Sequence, residues 1–316
     1  MIRVHHGTGV RLAALVLAIG LSAVCAAAAE QKPEAASPAP ELKQIEVNDT
    51  RVEYLEEGGG PVVLLISPGV LPPVVWKEIQ RRLSQSFRVI AIDPNGMLTP
   101  ATDDSSATQQ LLQNYRAFMD AMGIRAAHLV GASVGGGIAV ALAHHFPEKA
   151  LTATSSGGFE GAGWLTDIEA RLHQVAPRSK REVRDLLSST TVRYRGGQAP
   201  EDLIDALAQP LVGRQADRMV RRFTTSTLSD IRSGFIATMT EYVEAPVLLL
   251  AGDQDRMRPP EWNDRARAAI GDVTFVPVAN AGHLAFLDQP EQVATAITQF
   301  IQEKNGTDWV KRHFGF

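Results

Sequence analysis

Two short runs of continuous apolar residues, Val62–Ile66 and Val89–Ile92, most constrain what this chain can fold into. Neither alternates with polar residues, so neither suits a strand with one wet face. Runs of this length are strands buried on both faces, which occur in parallel sheets covered on both sides by helices. Further strand signals recur at Ala127–Val130, Ala150–Thr154, Val247–Leu250 and Thr274–Val278. Helical periods separate them: Pro73 to Leu83, Ser105 or Ser106 to Met122, Gly135 to Phe146, Glu261 to Ile270 and Gln292 to Gln302. Before the first run, Ile45–Val47 and Val52–Leu55 flank Asn48-Asp49, a hairpin signal. The expected fold is α/β: a mostly parallel central sheet flanked by helices.

Residues 158–242 break the rhythm. Helical periods at Trp164–Gln174, Lys180–Leu187, Glu201–Ala208, Gln215–Phe223 and Leu228–Met239 follow one another with no strand of the main type. This stretch is expected to be a helical cap inserted after the sixth strand, over the edge where such sheets bind ligands. The expected organisation is a core of 42–157 and 243–304, the cap at 158–242, and a tail at 305–316.

The N-terminus has its own character. Arg3 and Arg11 precede an apolar run from Leu12 to Val24, and Ala26–Ala29 close it. Residues 1–29 therefore read as a secretory signal, with an uncleaved membrane anchor as the alternative. Cys25 suggests lipidation, but Ser22-Ala23-Val24 fits a lipoprotein cleavage box poorly. Residues 30–41 carry Pro33, Pro38 and Pro40 and read as a linker. The expectation is an exported, periplasmic or secreted protein with no membrane span in its mature form.

Charge and cysteine content exclude several classes. The chain has 31 basic and 35 acidic residues, a net charge of −4. Without residues 1–29, and so without Arg3 and Arg11, about −6 remains. No polyanion-binding character follows, and nucleic acid is not an expected partner. One cysteine excludes a disulfide framework and a Cys-rich zinc site. No His-Glu-x-x-His, P-loop or dinucleotide fingerprint is present, so neither metal nor cofactor is expected.

The chemistry is concentrated in three loops. Gly131-Ala132-Ser133-Val134-Gly135 lies between a strand and a helix, the context that a G-x-S-x-G nucleophile turn requires. Ser133 would be exposed on a strained turn. The Val134 N–H, at the start of the next helix, would face a developing oxyanion. A serine needs a base. Of the 8 histidines, His283 in Asn280-Ala281-Gly282-His283-Leu284 lies after the last strand, at the same edge. The third member should be a carboxylate. Asp253 and Asp255 both follow the strand Val247–Leu250, and Asp255 is favoured.

These residues carry a resemblance. From about Ile45 to Lys304 the chain resembles the α/β-hydrolase fold superfamily, in its capped, serine-nucleophile form. The anchors are Gly131–Gly135, the Gly252-x-x-Asp255 turn with Pro259, and Gly282-His283 followed by Asp288-Gln289-Pro290, where the family usually shows Glu-x-Pro. The resemblance implies a Ser133–Asp255–His283 triad and a second oxyanion donor, the backbone N–H of Val70. Two departures stand out. Ser67-Pro68-Gly69-Val70 has Pro68 where the family carries histidine, and Met97-Leu98-Thr99 replaces a glycine- and serine-containing loop. Met97 is therefore expected at an apolar pocket lip, with Trp164 as a further candidate lining residue.

The expected function is hydrolysis of an ester or related acyl bond in a small molecule. Carbon–carbon bond hydrolysis, thioester cleavage and perhydrolysis remain open on the same site, as does a non-catalytic ligand-binding protein. Between Arg171 and Arg232 about twelve basic residues face about seven acidic ones. They form either a solvated helix face or an attractor for anionic substrates, the first being favoured. The sequence leaves substrate identity and oligomeric state open.

Overall fold

The computed structural model describes residues 41–97, 107–158, 177, 179–189, 199–209, 243–257 and 260–315. Eight strands make one sheet: β1 Leu42–Val47, β2 Thr50–Glu57, β3 Val62–Ile66, β4 Arg88–Ile92, β5 Ala127–Ala132, β6 Ala150–Ser156, β7 Val247–Gly252 and β8 Val273–Val278. Their spatial order is β1-β2-β4-β3-β5-β6-β7-β8. β2 runs antiparallel to β1 and to β4. All other neighbours are parallel.

The hairpin is made where expected. Asn48 and Asp49 both have positive φ, 50° and 57°. That is the left-handed pair of a two-residue turn whose twist matches the strands it joins.

The apolar runs explain the layers. Val63 and Leu65 pack into one cluster, Leu64 and Ile66 into another on the opposite face. Val89 and Ala91 divide from Ile90 and Ile92 in the same way, the period-2 alternation of a pleated strand. Burying each such Val, Leu or Ile is worth roughly 1.5–3 kcal/mol, which makes this register hard to shift.

The helices cover the two faces in turn. α1 Lys77–Leu83 links β3 to β4 and packs into the first cluster through Ile79 and Leu83. α2 Ala107–Ala121 links β4 to β5 and packs into the second through Leu112, Tyr115 and Phe118. α3 Val134–His145 follows on that same face. The direction of winding thus reverses at β3, with β4 on one side and β5 on the other. Such a switch opens a crevice beyond the carboxyl ends of the strands, where ligands bind. Ser67–Val70 and Ser133 lie at that crevice.

Between β6 and β7 the described chain is helical: α4 Lys180–Ser188 and α5 Glu201–Ala208. They pack on each other, and α5 touches the short 3-10 turn Pro73–Trp76 that follows the Val70 loop. Ser179 caps α4 by accepting a bond from Glu182 N–H at 3.2 Å. The other expected helices of 158–242 lie outside the described residues.

α6 Pro260–Ala269 links β7 to β8. α7 Ala285–Asp288 and α8 Pro290–Lys304 follow, then α9 Asp308–Phe314. The tail is not idle, because Trp309, Val310 and Phe314 are buried in the second cluster. Among the described residues no helix is long and apolar enough to cross a membrane.

Candidate active site

β5 ends at Ala132, α3 begins at Val134, and Ser133 alone makes the turn at φ 50°, ψ −126°. Holding a non-glycine residue there costs about 1–3 kcal/mol and needs support from the surroundings. The support is visible. Ser133 N–H donates to Ser156 O at 2.8 Å, and Gly136 N–H donates to Ser133 O at 2.9 Å. A Cβ at position 131 would collide with Gly135 O, and one at 135 with Ile66 O. Only glycine lets the strand and helix backbones pass so closely.

The histidine arrives from the far side of the sheet. After β8, Asn280 turns at φ 56° and carries the chain back to His283. His283 Nε2 lies 2.9 Å from Ser133 Oγ. His283 Nδ1 lies 3.0 Å from Asp255 Oδ2. An ionised carboxylate only accepts, so Nδ1 carries the proton and Nε2 accepts from the Ser133 hydroxyl. Both the His283 and the Asp255 side chains are buried. Asp255 is itself fixed, its Oδ1 accepting Met257 N–H at 2.8 Å.

The two candidate aspartates are separated by what they touch. Asp255 reaches the imidazole, while Asp253 Oδ1 accepts the backbone N–H of Ala281 at 3.2 Å. Asp288, the first residue of the Asp288-Gln289-Pro290 anchor, is buried, and its Oδ2 accepts Gly282 N–H at 2.7 Å. Its signal in the sequence was its place at the head of Asp288-Gln289-Pro290, five residues after His283.

Val134 N–H opens α3, where the first N–H groups have no intrahelical acceptor. Val70 sits in a turn closed by Leu71 N–H on Pro68 O at 3.2 Å, with Gly69 at φ 59°. That bond leaves Val70 N–H out of the closure, so Pro68 takes no donor from this position. The Val70 side chain is buried in the first cluster.

Met97 is not a pocket lip. Its side chain is fully buried with Val47, Val52, Leu112 and Tyr115, and its carbonyl accepts Asn114 Nδ2–H at 2.9 Å. The turn at Pro94–Gly96 directs it into the core between the β1–β2 hairpin and α2. Trp164 lies outside the described residues. Asp93, one turn earlier, is pushed up to about 6 by burial, against the lowering effect of its bond from Asn95 N–H.

Among the described residues of the inserted helices, several charges are paired. Lys180 meets Glu201 at 3.1 Å and Asp205 at 2.5 Å, and Arg184 meets Glu201 at 2.8 Å. These groups form a solvated face, while Val183, Leu186, Leu187 and Ile204 turn inward to the core. Among the described residues no cluster of three metal-ligating side chains occurs.

The model of the alpha/beta hydrolase family matches residues 62–296. The chain belongs to this family. It is 24% identical over 298 residues to the 2-hydroxy-6-oxo-6-(2'-aminophenyl)hexa-2,4-dienoic acid hydrolase of Metapseudomonas resinovorans, covering 87% of this chain and 96% of that protein. It is 27% identical over 261 residues to the dihydrolipoyllysine-residue acetyltransferase component of the acetoin cleaving system of Cupriavidus necator. That match takes in 77% of this chain, which spans only 64% of the relative's length. Among solved structures, the carboxylesterase CesB of Bacillus subtilis superposes with a TM-score of 0.66 at 19% identity, covering 83% of this chain and 91% of that one. At that identity the likeness is one of fold. Family membership makes the protein a hydrolase of ester-type or related bonds.

Proposed function

We propose that this hydrolase cleaves a small-molecule acyl bond through an acyl-enzyme on Ser133. The observation that carries the reading is the relay of Ser133 Oγ, His283 and Asp255 at 2.9 and 3.0 Å, from three separate loops at one sheet edge. His283 Nε2 takes the hydroxyl proton as Oγ attacks the carbonyl carbon. Asp255 holds Nδ1–H and stabilises the imidazolium. The N–H groups of Val134 and Val70 receive the oxyanion. His283 then protonates the leaving group, and a water activated by the same nitrogen releases the acid. Residues 158–242 act as the cap that selects the substrate, and residues 1–29 direct export.

An ester is one substrate class for this machinery. A second class has specific support. The Metapseudomonas relative, matched over 96% of its length, is named for a substrate whose 6-oxo carbon bears an aryl group and a carbon chain. Hydrolysis at such a carbonyl expels carbon, and the same serine, base and oxyanion donors serve it. This second class has the broader support among the relatives.

A fluorophosphonate probe tests the common mechanism. Labelling of the wild type, lost in Ser133→Ala and strongly reduced in His283→Ala, is the expected result. A folded wild type that does not label would be a binding protein. A panel of p-nitrophenyl esters and an aryl keto-dienoate then separates the two substrate classes by kcat/KM. Fractionation with N-terminal sequencing tests export: a mature protein still carrying residues 1–29 in the cytosol would overturn that part.

A further inference from the structure

The histidine loop is fastened at three consecutive residues, each by a different carboxylate. Ala281 N–H donates to Asp253 at 3.2 Å, Gly282 N–H to Asp288 at 2.7 Å, and His283 Nδ1 to Asp255 at 3.0 Å. Asp253 and Asp255 come from the turn after β7. Asp288 comes from the opposite direction, at the end of α7. Its bond is the shortest of the three and ends on the residue immediately before His283.

That residue is glycine, the one most free to turn at its backbone. A charge-assisted bond to its N–H removes the freedom where it matters most. Asp288 is also rigidly based. α7 is held by Phe286, whose ring stacks on Trp76 at 4.1 Å, and by the buried Leu287. Gln289 N–H closes the turn on Ala285 O at 2.8 Å. The carboxylate therefore transmits the position of a packed element to the loop that carries the base.

We propose that Asp288 is a positioning residue for His283, which sets the Nε2–Oγ contact through the Gly282 peptide without touching substrate. The proposal rests on the reading of Ser133 and His283 as nucleophile and base. Losing this fastening in Asp288→Ala lowers kcat about 100-fold with KM within about twofold, the pattern of a displaced reacting group. Asp288→Asn keeps an acceptor oxygen for the same N–H and recovers kcat to within about threefold of wild type.

The experiment measures kcat, KM and fluorophosphonate labelling for wild type and both variants, at temperatures where thermal unfolding shows each fully folded. Asp288→Ser stands in if the alanine variant does not fold, because its shorter side chain keeps the site polar without spanning to Gly282. A folded Ala or Ser variant that turns over and labels at the wild-type rate overturns the proposal and leaves the nucleophile reading intact. A wild type that does not label overturns both. Equal loss in Asp288→Ala and Asp288→Asn overturns the bond as the cause.

Discussion

His128 and His283 are hidden from water almost equally, at 1% and 3% exposure, yet their surroundings differ in kind. His128 lies within β5, its Nδ1 3.0 Å from the Thr152 hydroxyl and its Nε2 without a hydrogen-bonding partner. Burial holds its pKa down at about 4. His283 lies in a loop, with a carboxylate on one nitrogen and a serine hydroxyl on the other. Burial alone makes a neutral, structural imidazole. Burial beside an oriented carboxylate makes a site where a proton can be accepted and the resulting charge stabilised.

The sharpest way to break this comparison is to remove each ring. His283→Ala is expected to lower kcat roughly a million-fold, the scale of losing a base that acts as a unit with its nucleophile. His128→Gln should leave kcat within a factor of about three, because His128 is remote in role from the reacting atoms; steady-state kinetics on the best ester checks both. Next in size, Asp255→Asn should lower kcat about ten-thousand-fold, since an amide favours the wrong imidazole tautomer. The same assay and a thermal melt separate that loss from unfolding.

Acid stability comes third. His128 titrates at about 4 in the folded state against 6.5 as its ordinary value, so the unfolded chain binds this proton more tightly. Its contribution is level above about 6.5 and stability falls as pH drops from there through about 4, by roughly 3 kcal/mol in all. Urea unfolding across that window should show a shallower decline in His128→Gln. An identical decline would mean that the ring is not held neutral. Asp253→Ala has the smallest effect. It leaves Ala281 N–H without its acceptor, which costs about 1–3 kcal/mol of stability and affects kcat far less than Asp255→Asn does. A loss equal to that of Asp255→Asn would erase the distinction between the two aspartates.

Most of the frame was legible in the sequence because it follows from local pattern. β3 falls on the residues of its apolar run, and α5 on its helical period. β6 runs past its expected end at Thr154 to Ser156, because Ser155 and Ser156 are fully buried hydroxyl residues, which look like a loop until the neighbouring strands are in place. Ser133 and His283 were legible because their loops have a sequence grammar of glycines at fixed distances. Met97 was misread because position after a strand says which edge a residue approaches, not which way its side chain turns. α7 and α9 escaped notice because neither is long enough to show a helical period.

The sequence by itself determined the alternation of buried strands and helices, the strained turn at Ser133, and the edge at which Ser133 and His283 would meet. These depend on contacts between near neighbours and on the few residues that tolerate a turn. Only the tertiary structure brought Asp255 to the His283 ring and Asp253 to the Ala281 peptide, turned Met97 into the core, and gave Asp288 the Gly282 peptide to hold. Each of those depends on where one side chain points after segments far apart in the chain have packed, and a single carboxylate among 35 acidic residues carries no local mark of its partner.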